Sequence, residues 1–348
     1  MKVSNPILCI AKAVTMTLAI AIGGGTLACG GAGGQSATWQ PSAGHTQVEI
    51  WPGAAPNPQP VAGPERVESS GTKFLVAGRP VTGVYNVTRP TMTVYAAEGR
   101  NTGAAVIVFP GGGYQGLAID LEGTEVCDWL VPKGITCVLL KYRVTDIGPY
   151  PKSGPYPESP MALEDAQRTL GLVRLRAAEW HIDPHKIGVL GFSAGGHLVA
   201  AMSVHFEKRL YPAVDAADKE SCRPDFAVAI YPGHLSLSAA EWDANVGTKK
   251  FAIHAPPNAD KDLAINPDIH VTKQTPPTFL LQNEDDHVDS VNDALAYYIA
   301  LKNAGVPAEM HIYAQGGHAF GLRRTKLAVT AWPQLVESWL ASIGMISE

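Results

Sequence analysis

From Ala104 onward the chain alternates short, unbroken apolar runs with longer amphipathic stretches. The runs are "AAVIVFP" (104–110), "ITCVLLKY" (135–142), "KIGVLGF" (186–192), "DFAVAIYPG" (225–233), "PPTFLLQN" (276–283) and "AEMHIYA" (308–314). A strand that is apolar on every residue has no face to offer water, so it belongs in a sheet covered on both sides. Strands that alternate with helices are joined by crossovers and lie parallel. The alternation therefore predicts an α/β fold, a mostly parallel sheet with helices on both faces.

Helices are expected between the runs. "EGTEVCDWLVPKG" (122–134) is one, stopped by Pro132 and Gly134. "SPMALEDAQRTLGLVRLRAAEW" (159–180) is another, with Ser159 as cap and Pro160 in its first turn. Others are expected over "GGHLVAAMSVHF" (195–206), about 290–304 and 326–343. Upstream, "QVEIWP", "VYNVT" and "TMTVYAA" are separated by Pro and Gly, which predicts antiparallel strands at the sheet edge. Two stretches, 207–224 and 234–275, fit neither pattern and are expected to be lid-like insertions in a single domain over 46–348.

The beginning of the chain reads as an export leader. Lys2 and Lys12 precede "AVTMTLAIAIGGGTLAC" (13–29), which is too short and glycine-broken for a comfortable membrane span. A signal peptide is expected over 1–28. "TLAC" suggests lipoprotein cleavage before Cys29, making that cysteine a candidate lipid anchor, and "GGAGGQSA" opens a flexible linker over 29–45. The expected location is the periplasm, the outer membrane as a lipoprotein, or outside the cell. The formal charge of −5, with no basic stripe, argues against nucleic acid or an anionic membrane surface as partner. Beyond the leader stand only Cys127, Cys137 and Cys222, too few for a disulfide framework. The first two are expected to be buried as small apolar residues, a bridge between them being the alternative in an oxidising compartment.

Ser193 lies where "KIGVLGF" stops and the helix "GGHLVAAM" starts. A Gly-x-Ser-x-Gly pentapeptide also suits a plain glycine turn, but strand–turn–helix context raises the hydroxyl above the sheet edge as a nucleophile. The next amide, that of Ala194, opens a helix and can hold a developing oxyanion. "VIVFPGGGYQG" (106–116) offers Gly112 and Gly113 as a second oxyanion element, since glycine lets backbone amides approach an oxygen closely. It carries no Gly-Lys-Ser/Thr and opens no Gly-x-Gly-x-x-Gly helix, which argues against a phosphate loop. His318, in the loop "YAQGGHAFG" after the last strand, is the candidate base. "LLQNEDDHVD" offers Asp285, Asp286 and Asp289 as its acid. Tyr114, Glu122, Trp242 and His287 are candidate pocket residues. "HIDPH" is interrupted by Pro184 and no His-Glu-x-x-His occurs, so no metal is expected. His197 reads as a satisfied helix histidine.

"PGGGY", "EGTEV", "LKYRV", "ALEDAQRTLGLVR", "HIDPHKIGVLGFSAGGHL" and "GGHAFG" follow one another over roughly 100–345. In that order they resemble the α/β-hydrolase superfamily, nearest its esterase branch with carbohydrate acetylesterases such as acetylxylan esterases. The resemblance implies the α/β-hydrolase fold and a Ser193–His318–Asp286 acyl-transfer site without cofactor. It also implies an acylated carbohydrate, with xylan-type acetates foremost, or a small ester as substrate. The acid loop of the family aligns Asp286 with the catalytic acid. Pro110 replaces the histidine of the commoner His-Gly-Gly-Gly loop, leaving open how that loop is pinned. The competing readings are a general carboxylesterase or lipase, a serine peptidase, and a non-catalytic carbohydrate-binding lipoprotein.

Overall fold

The apolar runs assemble into one eight-stranded sheet. Its strands are β1 (Thr46–Glu49), β2 (Thr91–Tyr95), β3 (Ala105–Phe109), β4 (Thr136–Lys141), β5 (Ile187–Phe192), β6 (Ala227–Ile230), β7 (Thr278–Asn283) and β8 (Ala308–Tyr313). Their spatial order is β1-β2-β4-β3-β5-β6-β7-β8. β2 runs antiparallel to both its neighbours, and every pairing from β4 to β8 is parallel. Every residue of β3 to β7 is buried, as unbroken apolar patterning requires. The structure is a computed structural model that describes residues 38–58, 63–145, 160–236 and 263–347.

Among the described residues the α-helices are α1 (Glu125–Leu130), α2 (Pro160–Leu175), α3 (Ala194–Val204), α4 (Val291–Asn303) and α5 (Trp332–Ser342). From β3 the chain moves one way along the sheet to β4, then the other way to β5 and on to β8. Right-handed crossovers therefore put α1 on one face and α2, α3 and α4 on the other. α5 returns to the face of α1, where the Trp129 and Trp332 rings meet edge to face at 5.4 Å and the Trp129 indole donates to Glu337 (2.7 Å). The reversal leaves a crevice at the carboxyl ends of β3 and β5, the place where open α/β sheets bind ligands.

Several expectations are corrected. "VYNVT" leaves the main sheet: Thr82–Tyr85 pairs with Arg66–Ser69 and Gly116–Ala118 in a three-stranded sheet of its own. The helix expected over 122–134 is a composite, opening as a π-turn at Asp120–Thr124 and closing as a 3₁₀ turn at Val131–Lys133. Gly134 ends it in the left-handed region, at φ 74°. α2 stops at Leu175 rather than Trp180 and gives way to turns. The helix expected over 326–343 starts as a 3₁₀ turn, Ala328–Ala331. Cys127 and Cys137 are joined as a disulfide (S–S 1.98 Å) linking α1 to β4, and Cys222 is free and buried. The linker expected up to residue 45 is already tied down at Trp39, which is buried and donates its amide to Glu65 (2.8 Å).

The stretch 207–224 is not a lid. It leaves the C-terminal end of α3 and enters β6, which puts it at the sheet edge opposite Ser193. There its 3₁₀ turn Ala216–Lys219, closed by a capping box from Asp215 and Asp218, is clasped by Arg168 of α2. The stretch 234–275 starts at the other edge. The amides of Leu235 and Ser236 bond to Asp293 of α4 at 2.9 and 2.8 Å, tying its first residues down. The rest of that stretch up to 262, Trp242 included, lies outside the described residues, as do the leader, Cys29 and Ser159.

Candidate active site

Ser193 follows β5 directly and precedes α3 with φ 52° and ψ −120°, a conformation few non-glycine residues hold. The strain persists because both sides fix it. The Ser193 amide donates to Ile230 of β6 (3.1 Å). Gly195 meanwhile lets α3 rest on the end of β3, where a Cβ would come within 2.0 Å of the Phe109 carbonyl oxygen. The serine thus stands at the β3/β5 reversal.

His318 reaches it from the loop after β8. Its Nε2 lies 3.0 Å from Ser193 Oγ, and its Nδ1 lies 2.7 Å from Asp286 Oδ2. Asp286 comes from the loop after β7, and its Oδ1 accepts the amides of Val288 (2.8 Å) and Asp289 (3.1 Å). The edge of the Tyr231 ring system packs against the imidazole at 4.8 Å between centroids. Burial alone would lower the His318 pKa. The bond to Asp286 and the charges of Asp289, Asp286 and Glu122 outweigh it and raise the pKa from 6.5 to about 9.

The three aspartates of "EDDHVD" do three different things. Asp285 accepts the amides of Gly316 (2.9 Å) and Gly317 (2.8 Å), bracing the histidine loop. Asp286 meets His318. Asp289 stands just before α4 without capping it: Ser290 is the N-cap, its hydroxyl accepting from Asn292 (3.2 Å). Instead Ser193 Oγ donates to Asp289 Oδ2 at 3.3 Å, and the same oxygen is 3.8 Å from His318 Nε2. Burial pushes the Asp289 carboxyl upward, and the charges of His318 and His234 oppose that rise. Sequence spacing carried no sign that a second carboxylate would face the serine hydroxyl.

β3 delivers the glycine loop to the same crevice. Gly112 has φ 135°, in the range that side chains avoid, and its carbonyl accepts the amides of Gln115 and Gly116, both at 3.1 Å. Gly113 follows at φ 61°. Ala194 is the first residue of α3, where an amide has no acceptor within the helix. Two side chains pin the loop in the absence of a histidine at 110. Tyr142 donates to the Pro110 carbonyl (2.5 Å), and Glu122 Oε2 accepts the Gly111 amide (2.7 Å).

Glu122 therefore does not line the pocket as expected. It is 2% exposed, and its other oxygen accepts the Tyr231 hydroxyl at 2.7 Å. Burial raises its pKa, against the bonds from Tyr231 and Gly111 and the charge of His318. Glu122 thus ties the glycine loop to Tyr231, and through that ring to His318. Tyr114 is buried, with its hydroxyl 2.7 Å from Nδ1 of His197, a residue of the α3 interior. His287 is exposed on the acid loop beside Val288. Tyr142 and Tyr231 escaped the sequence reading. The available signal was a hydroxyl at the end of each otherwise apolar run.

Residues 106–322 match the alpha/beta hydrolase fold family. The acetylxylan esterase of Xylanibacter ruminicola is 28% identical over 252 residues, covering 70% of this chain and 46% of that protein. Endo-1,4-beta-xylanase B of Butyrivibrio fibrisolvens is 28% identical over 213 residues, 61% of this chain and 32% of that one. The chain thus spans at most about half the length of these two relatives. Among solved structures, an acetyl ester-xyloside bifunctional hydrolase from Caldicellulosiruptor lactoaceticus is 34% identical, with a TM-score of 0.64. That match covers 87% of this chain and 97% of the other.

Proposed function

The chain belongs to the alpha/beta hydrolase fold family, and on that premise we propose that it hydrolyses carboxylic esters through an acyl-enzyme on Ser193, with acetyl groups on xylan-type polysaccharide or its oligomers as substrate. The observation that carries this reading is the unbroken chain from Ser193 Oγ to His318 to Asp286, at 3.0 and 2.7 Å, above a glycine loop braced from below. The acetylxylan esterase and xylanase relatives support the substrate class.

Ser193 Oγ attacks the ester carbonyl carbon while His318 Nε2 takes its proton. The carbonyl oxygen becomes an oxyanion facing the amides of Ala194, Gly112 and Gly113. Collapse expels the alcohol, whose oxygen receives the proton from Nε2, and leaves an acyl-serine. Water then attacks the acyl carbon with His318 again as base, releasing the carboxylic acid and restoring Ser193. Asp286 holds Nδ1–H so that Nε2 is the free nitrogen, and it supports the imidazolium. Export through the leader, with Cys29 as lipid anchor, is part of the same proposal, since a polysaccharide of this kind is met outside the cell.

The test is Ser193→Ala, assayed for acetate release from acetylated xylo-oligosaccharides and for hydrolysis of nitrophenyl esters of rising chain length. A folded variant that has lost at least about three orders of magnitude in kcat supports the proposal. Near-normal turnover would end it. A kcat/KM that rises steadily with acyl length would instead favour the general carboxylesterase reading.

A further inference from the structure

The acyl-transfer steps leave unused a second carboxylate at the nucleophile. Asp289 Oδ2 lies 3.3 Å from Ser193 Oγ and 3.8 Å from His318 Nε2, and those two atoms are 3.0 Å apart. The three polar atoms form a triangle on the proton-transfer side of the serine. The oxyanion has its partners elsewhere, at the start of α3 and in the glycine loop. During collapse the departing alcohol oxygen must approach Nε2, so Asp289 stands beside the alcohol half of the ester rather than the acyl half.

A carboxylate there cannot help a departing alkoxide, because like charges repel. It can accept a hydrogen bond from a hydroxyl on the adjacent carbon of that alcohol. The place is built for a fixed carboxylate. The Asp289 amide donates to Asp286 (3.1 Å), and Gln282 Nε2 donates to the Asp289 carbonyl (3.2 Å). Gly233 gives the side chain room, since a Cβ there would come within 2.3 Å of Asp289 Oδ1. The side chain keeps some access to solvent, at 10% exposed beside 13% for His318.

Resting on the ester-hydrolase reading above, we propose that Asp289 determines specificity by accepting the free hydroxyl next to the ester on a polyol. Sugar monoesters with an unsubstituted neighbouring hydroxyl are then the preferred substrates. Without substrate, Asp289 accepts the hydroxyl of Ser193. An incoming sugar hydroxyl takes that place, and the serine proton is left to His318. Selection and activation of the nucleophile become one event.

The test compares two acetates of one methyl xyloside, the first with a free hydroxyl next to the ester and the second with that hydroxyl methylated. The readout is the ratio of their kcat/KM values in wild type, Asp289→Asn, Asp289→Ala and Gly233→Ala. A merely structural role would slow both substrates alike and leave the ratio unmoved. Wild type should favour the free hydroxyl by about 10- to 100-fold, the range for a hydrogen bond to a charged acceptor. The ratio should fall to within about threefold of unity in Asp289→Ala, with Asp289→Asn and Gly233→Ala in between. If Asp289→Ala does not fold, the other two variants carry the same comparison. A wild-type ratio near one, or one that the variants leave unchanged, overturns the inference while ester hydrolysis stands. Failure of the wild type on both sugars and on nitrophenyl acetate would overturn the ester-hydrolase reading itself.

Discussion

His318, the proposed base, shows how buried carboxylates raise the pKa of an imidazole. Desolvation disfavours its charged form, yet Asp286 at 2.7 Å and Asp289 at 3.8 Å favour it more, and its pKa rises from 6.5 to about 9. Glu122 lies behind Tyr231 and adds in the same direction. An imidazolium cannot take the serine proton, so kcat/KM should climb with pH through the alkaline range and level off above about 9. Asp289→Asn should move that limb back toward neutrality. An initial-rate profile corrected for spontaneous ester hydrolysis checks this, and a limb at or below 6.5 in the wild type would contradict it. The folded state gains from the same shift. Because the folded pKa lies above the free one, the gain is complete below pH 6.5 and disappears as pH rises through about 9.

The α1 segment is six residues long, too short to hold a helix by its own hydrogen bonds. Tertiary partners hold it. Cys127 on its buried side is bonded to Cys137 in β4, with Cα atoms 5.2 Å apart and a sequence separation of 10. Closing a loop of that length contributes about 3 kcal/mol in the chain-entropy view. A Cys127→Ala, Cys137→Ala double variant should lose that order of stability in urea denaturation while keeping its catalytic rate, since neither residue touches the triad. Stability equal to wild type under non-reducing conditions would contradict this. The same segment shows what periodicity conveys. Pro132 and Gly134 marked its end correctly, while the π-turn at its start is a packing outcome: Asp120 braces Thr82 and Arg323, and Glu122 reaches under the glycine loop.

Across the molecule, the proposed triad draws on the ends of three parallel strands, β5, β7 and β8, and the proposed oxyanion loop on a fourth, β3. Such a site depends on the whole sheet keeping its register. At the β1–β2–β4 end, the chain from Trp39 to Glu65 is closed onto the sheet by a buried ion pair. Lys141 of β4 meets Glu65 at 2.8 and 2.9 Å, with side chains 2% and 8% exposed, and Glu65 also accepts the Trp39 amide. Removing one partner strands a buried charge. Glu65→Ala should therefore destabilise the fold by about 3–5 kcal/mol, whereas Glu65→Leu with Lys141→Met should recover most of the loss. Chemical denaturation of the single and double variants checks both, and a single variant as stable as wild type would show that the pair does not hold this end.

The sequence by itself determined the parallel sheet, the elbow at Ser193, the glycine loop and the candidate base His318. Each follows from local rules: unbroken apolar runs demand cover on both faces, and a serine between glycines at a strand end must turn sharply. It also narrowed the acid to three aspartates within five residues, and the family's loop pattern, not periodicity, singled out Asp286. Only the tertiary structure decided how the three divide their work. Asp285 turns to the histidine loop, Asp286 to the imidazole and Asp289 to the serine 96 residues earlier in the chain. It likewise took Glu122 out of the pocket and joined Cys127 to Cys137. The reason is physical: where a short polar side chain points depends on the backbone of its loop and on which distant groups can satisfy it once water is excluded. Neither is set by the residues beside it in sequence.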